Sequence, residues 1–134
     1  MSVEQYVAIP RSRLPSVLHW QEAVRLRGFD ITIDDADLTR MSGFLPVQFM
    51  GSPCGFEFYL EKLADVGERE IDFGDRDAVV TFRTGSDKAE AQCALVCAAV
   101  LVDLAGGVYF DDYDGQAWEG ETLIKQARDW MDEN

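Results

Sequence analysis

Residues 107 to 121 read Gly-Val-Tyr-Phe-Asp-Asp-Tyr-Asp-Gly-Gln-Ala-Trp-Glu-Gly-Glu, which gathers Asp111, Asp112, Asp114, Glu119 and Glu121 around Tyr113 and Trp118. Carboxylates this dense have four uses open to them. They can ligate calcium, form a general acid and base pair, present a charged face to a basic partner, or make the polar corner of a tight turn. With Gly115 at the sixth place of an EF-hand loop, Asp112 falls at the third, Asp114 at the fifth and Glu121 at the twelfth, all ligand places. The first place is then Phe110, which has no oxygen to give, and strand-like Gly107 to Phe110 stands where the entering helix belongs. No metal ligand set is assigned.

Asp111 and Glu119 could supply a catalytic pair, but such a pair needs surroundings that keep one carboxyl protonated and the other ionised. On a chain with 25 acidic residues, neighbouring carboxylates arise without that meaning. Tyr113-Asp-Gly115 spells a hairpin turn, because Asp-Gly adopts positive φ at little steric cost. Two uses therefore stay in view, a turn and a face for a basic partner.

The remaining reactive side chains add no catalytic device. His19 is the only histidine and has no Gly-x-Ser-x-Gly elbow to serve, so a surface or packed helical role is expected of it. Cys93 and Cys97 are four apart and would share a helix face, and with Cys54 they could offer three thiolates to zinc. Their flanks are apolar and no Cys-x-x-Cys pair is present, so buried thiols acting as small hydrophobes are expected. Gly106-Gly107 follows a helix rather than opening one and makes no phosphate loop. No catalytic, cofactor-binding or metal residue is assigned, and no enzymatic activity is expected.

Charge narrows the partners. The 134 residues carry a formal net charge of −13, from 25 acidic against 12 basic side chains. Phosphate-rich surfaces would be repelled, so nucleic acid and anionic membranes are excluded and a basic protein is the consistent partner. Arg11, Arg13, Arg25 and Arg27 face only Glu4 and Glu22 within the first 28 residues, so the negative field belongs to the rest of the chain. The opening residues show no basic start followed by a long apolar centre, and the odd count of 3 Cys suits reduced thiols; a cytoplasmic location is expected. The longest apolar run, Cys93 to Val102, is half of the roughly 20 residues a spanning helix needs.

The elements that would position these groups follow from periodicity. Pro15 suits the first turn of a helix running to Arg27 and stopping at Gly28, with Val17, Trp20 and Val24 on one face. Phe29 to Ile33 alternates as a half-buried strand. Leu45 to Met50 and Phe56 to Leu60 read as strands joined by a five-residue connection, Gly51 to Gly55, with Phe56, Phe58 and Leu60 inward and Glu57, Tyr59 and Glu61 outward. Ala78 to Phe82 is a fourth strand, after an acidic loop from Asp65 to Asp77. Asp87 and Glu90 have capping-box spacing for a helix that reaches about Ala105 and exits at Gly106. With almost no polar side, that helix should be central. Val108 to Phe110 and Gln116 to Trp118 are short strands, and Glu121 to Met131 is an amphipathic helix. The order α-β-β-β-β-α-β-β-α points to one α+β domain over residues 1–134, with a largely antiparallel sheet of about four to six strands and three helices.

Two segments carry a resemblance: Gly43-Phe-Leu-Pro46 with Gly51-Ser-Pro-Cys-Gly-Phe-Glu-Phe-Tyr-Leu-Glu61, and Ala98-Ala-Val-Leu-Val-Asp-Leu-Ala-Gly-Gly-Val-Tyr-Phe-Asp111 with Asp114-Gly115 behind it. Together they resemble small acidic immunity proteins of bacterial polymorphic toxin systems. In those proteins an apolar helix running through Gly-Gly into a short strand is followed by an acidic turn and a closing helix. The resemblance covers about half of the chain and implies a non-catalytic protein that binds and neutralises a basic toxin or effector domain, such as a nuclease. The alternative is an acidic cytosolic enzyme or adaptor. Carboxylates steer a basic partner and aromatic rings anchor it, so Asp111, Asp112, Tyr113, Asp114, Trp118 and Glu119 form the expected partner-binding cluster. The acidic loop from Asp65 to Asp77 is the competing face.

Overall fold

Three α-helices cover one side of a single sheet. The computed structural model describes residues 2–66, 72–110 and 117–133. In chain order the elements are β1 (Val3–Ile9), α1 (Val17–Leu26), β2 (Ile31–Ile33), β3 (Ser42–Phe49), β4 (Ser52–Lys62), β5 (Ala78–Thr84), α2 (Lys88–Ala105), β6 (Val108–Phe110), β7 (Ala117–Trp118) and α3 (Gly120–Met131). The strands form one seven-stranded sheet in the order β2-β3-β4-β5-β1-β6-β7, antiparallel throughout. The α+β class, the three helices and the antiparallel sheet match the expectation from sequence.

The first strand was not legible in the periodicity. Val3–Ile9 sits between β5 and β6, and Tyr6-Val-Ala-Ile9 is buried on both faces. A strand covered on both sides reads as a continuous apolar run rather than an alternation. The hairpin between β3 and β4 also differs from the expected five-residue connection. Phe49 pairs with Ser52, leaving Met50 (φ 52°) and Gly51 (φ 81°) as a two-residue turn. Positive φ at both central residues gives the twist that antiparallel neighbours need. The strands therefore run through Pro53, Cys54 and Gly55 instead of stopping before them.

α2 lies over the middle of the sheet, touching β1, β4, β5 and β6, with α1 and α3 packed on its two sides. It is buried without a break from Gln92 to Val102, as the missing polar face requires. Trp20 of α1 is wholly buried against the rings of Phe56, Phe58 and Phe82, and its Nε1–H donates to the Cys97 carbonyl at 3.1 Å. This bond satisfies the indole in the core, where an unpaired donor would be costly.

Local sequence sets the helix ends. Ser16, rather than Pro15, stands at the start of α1, its Oγ accepting from the His19 N–H at 3.2 Å. At α2, Asp87 Oδ2 accepts from the Glu90 N–H at 3.4 Å, while Glu90 reaches past Asp87 to accept from the Gly85 N–H at 3.5 Å. Gly106 closes α2 in the left-handed conformation, φ 66° and ψ 40°. Its neighbour Gly107 answers a different demand, because a Cβ there would lie 2.8 Å from the Ala8 carbonyl oxygen. Gly106 provides the turn, and Gly107 provides the room for β6 to join β1.

One guanidinium links the ends of all three helices. Arg27 Nη2 donates to Asp103 Oδ2 at 2.6 Å and to Glu121 Oε1 at 2.8 Å, and the Arg27 carbonyl accepts from Arg128 Nη2 at 2.6 Å. The hydrogen bonds to Glu121 and Asp103 hold the guanidinium pKa above its ordinary value, and the same bond holds the Glu121 carboxyl below its own.

The opposite face of the sheet carries a smaller apolar cluster. Tyr6, Ala8, Val79 and Phe110 pack there under Leu63, Val66 and Phe73 from the segment after β4, with Tyr6 and Phe110 stacked at 5.2 Å. Beyond this cover the described residues of the face over β4, β5 and β1 are mainly polar. Its cross-strand rows run Glu57–Arg83–Glu4 and Tyr59–Thr81–Tyr6 over β4, β5 and β1.

Candidate functional site

Of the six residues expected to meet a partner, Trp118 and Glu119 are described; Asp111, Asp112, Tyr113 and Asp114 lie outside the described residues, as does the Asp-Gly turn. The two short strands flanking that stretch pair as expected, Tyr109 with Trp118 and Phe110 with Ala117. Pairing sends Trp118 to the helix-covered face, the face of Tyr109, while Phe110 turns into the cluster on the other side.

Trp118 borders a groove of about 790 Å³ between α3 and the β1/β6/β7 end of the sheet. Three elements build it. Val3, Gln5 and Tyr109 form the sheet side, Ala91 and Leu95 come from α2, and Thr122, Gln126 and Trp130 come from α3. Helical spacing on α3 buries Leu123, Ile124 and Ala127 against the core and leaves Trp130 half-buried at the margin. Two hydrogen bonds fix the walls. The Tyr109 hydroxyl donates to Gln5 Oε1 at 3.1 Å, and Gln92 Nε2 donates to the Trp130 carbonyl at 3.1 Å.

The margin is acidic. Glu4, Asp129 and Glu133 line the groove, and Glu119 follows Trp118 as an exposed residue just ahead of α3. The one lysine there, Lys125, is bonded to Asp129 at 3.1 Å, which leaves little free positive charge beside the tryptophans. Apolar rings between carboxylates suit a cationic protein surface: charge guides approach and the rings give area to bury. Only the tryptophan and the acid next to it were foreseeable, since Val3 and Gln5 arrive from a strand at the other end of the sequence.

Other candidates resolve differently. Phe110, the first place of the tested calcium loop, is wholly buried, and Glu121, the twelfth, is bonded to Arg27. His19 is exposed on α1. Cys93 and Cys97 are buried and Cys54 is half-buried. A hydrogen bond with Cys97, and then burial, push the Cys93 thiol far up, and burial raises Cys54. Both therefore stay protonated at neutral pH and pack as small apolar groups. Among the described residues no group of three or more His, Cys, Asp or Glu is placed to hold a metal ion, and no helix is long and apolar enough to cross a membrane.

The competing acidic loop has largely structural duties where it is described. Asp77 Oδ1 accepts from the Arg11 N–H at 2.7 Å, Asp72 Oδ1 accepts from the Gly74 N–H at 3.0 Å, and Arg76 Nε donates to the Gly106 carbonyl at 3.0 Å. Phe73 is the lid on Phe110. The groove beside Trp118 is thus the better-formed concave surface.

No family model matches the chain, and no curated protein matches its sequence.

Proposed function

We propose that this chain is a non-catalytic acidic binding protein that seats a basic protein partner on the Trp118 groove, acting as an immunity protein that neutralises a basic toxin or effector domain. The observation that supports it best is the pairing of Trp118 and Trp130 across one groove whose margin is acidic, on a chain of net charge −13. Interface energy concentrates in buried aromatic anchors, while charge sets the encounter rate and excludes wrong partners. The resemblance to immunity proteins adds the biological role, and the acidic surface fits an inhibitor of a domain built to hold phosphates.

The test is co-expression with the basic product of an adjacent reading frame. Protection from that product's toxicity and co-purification of the two chains are expected. Neither binding nor protection would remove the proposal.

A further inference from the structure

Toward the other end of the sheet from Trp118, β4 outruns its neighbour. Its ladder with β5 begins at Glu57 and Arg83, so Ser52 to Phe56 overhang β5, and the chain leaving β5 turns there into α2. A concavity of about 460 Å³ opens between this overhang and the start of α2. Phe44 and Pro46 of β3 and Pro53 and Gly55 of β4 give it an apolar wall, and Asp87 and Glu90 border it from the side of α2.

The wall has a fixed centre. Phe44 is 58% exposed, yet its ring crosses to the neighbouring strand and lies on Gly55, where a Cβ would come within 2.5 Å of the Phe44 Cζ. The missing side chain of Gly55 is what seats the ring against the sheet. An aromatic ring already held in place at the surface has little freedom left to lose on binding, which makes it a ready interface anchor.

The charge beside that ring has one sign. Among the described residues no lysine or arginine lines the concavity, and the exposed Lys88 is not part of its wall. Asp87 and Glu90 hydrogen-bond to the backbone N–H groups of Glu90 and Gly85 and to no cation. An apolar wall bordered by two carboxylates complements an apolar side chain carried next to a cation. A second copy of this chain is a poor occupant, since it would bring a further charge of −13 to an acidic margin.

We infer that this groove docks a segment of a basic protein, one apolar side chain resting on Phe44 between Pro46 and Pro53 and an adjacent lysine or arginine meeting Asp87 and Glu90. It shares no residue with the Trp118 groove, so it stands or falls apart from the reading proposed above.

The test titrates the full-length ¹⁵N-labelled protein at low ionic strength with three capped peptides: Arg-Ala-Leu-Ala-Arg, Glu-Ala-Leu-Ala-Glu and Arg-Ala-Ser-Ala-Arg. Saturable shifts at the amides of Phe44, Gly55 and Ala89 are expected with the first and not with the other two, because the groove needs both the apolar side chain and the cation. Phe44→Ala should weaken binding about tenfold, the scale of an interface hot spot. The double variant Asp87→Asn/Glu90→Gln should weaken it about threefold, the scale of exposed ion pairs, while Asn and Gln still serve the start of α2. Trp118→Ala should leave it unchanged. The same spectra report folding of each variant. Shifts that never saturate, equal binding of the acidic or the serine peptide, unchanged affinity in both groove variants, or loss in Trp118→Ala would overturn the inference. So would concentration-dependent shifts at these amides without peptide, which would give the groove to a second copy.

Discussion

Trp118 stands directly across the β6–β7 pair from Tyr109, whose hydroxyl donates to Gln5 on β1. A two-residue edge strand thus holds its indole against a side chain that is itself anchored to the middle of the sheet. In the proposed complex Trp118 is a rigid anchor. Trp118→Ala should lower affinity for the basic partner by about 2 kcal/mol or more, the range of interface hot spots, mostly through faster dissociation. Calorimetry and dissociation kinetics check this. A thermal melt of the free variant separates lost contact from lost folding.

The core makes a separate demand on Trp20. Removing its ring opens a hole among Phe56, Phe58 and Phe82, so Trp20→Ala should cost about 3–5 kcal/mol, which is a large part of the stability of a domain this size. Trp20→Phe should cost less, because a ring remains and the Cys97 carbonyl loses only one donor. Urea unfolding midpoints for the two variants give the comparison.

Gly106 and Gly107 should respond to alanine for different reasons. Gly106→Ala places a side chain at φ 66°, where the only near contact is the flexible end of Arg13, and should cost about 1 kcal/mol. Gly107→Ala drives a methyl against the Ala8 carbonyl and the Ile9 side chain and should cost about 1–3 kcal/mol, in the range of overpacked sites. Denaturant unfolding should therefore rank Gly107→Ala as the more harmful. The reverse ranking would mean that β1 shifts easily away from β6.

The Arg27–Glu121 bond ties stability to acid pH. Its hydrogen bond lowers the folded carboxyl of Glu121 below the unfolded value of 4.5. The contribution is therefore fully present above pH 4.5 and is lost as pH falls through the lower folded value. Melting temperatures of the wild type and Glu121→Gln should differ slightly at neutral pH and converge below the ordinary glutamate range. A gap that persists at the lowest pH would show that Glu121 acts by packing instead.

These elements also show which parts of the fold could be read from sequence. The alternation of Phe56 to Glu61, the polarity-free α2 and the Asp87 and Gly106 caps each follow from local chemistry, and each stands as the residues dictate. β1 escaped because Tyr6-Val-Ala-Ile9 is covered on both faces and so lacks the two-residue period. The hairpin escaped because Met50, a residue seldom found at positive φ, shares the turn with Gly51, while the Pro and Gly that suggested a longer loop lie within β4. The site was half legible. Trp118 and its acidic neighbours stood out in one segment, but Val3, Gln5 and Trp130 reach the groove only through sheet order and helix packing, which no local pattern encodes.

The central claim is that a basic protein is drawn in by charge and held at the Trp118 groove. Its most direct test is the association rate with the co-purified basic partner, measured by stopped-flow fluorescence from low to high ionic strength in the wild type and in Trp118→Ala. On this account the wild-type rate rises toward roughly 10⁸ M⁻¹s⁻¹ at low salt and falls steeply as salt is added, while Trp118→Ala keeps that rate and dissociates faster. A rate that ignores salt, or a complex as long-lived without the indole as with it, would contradict the account.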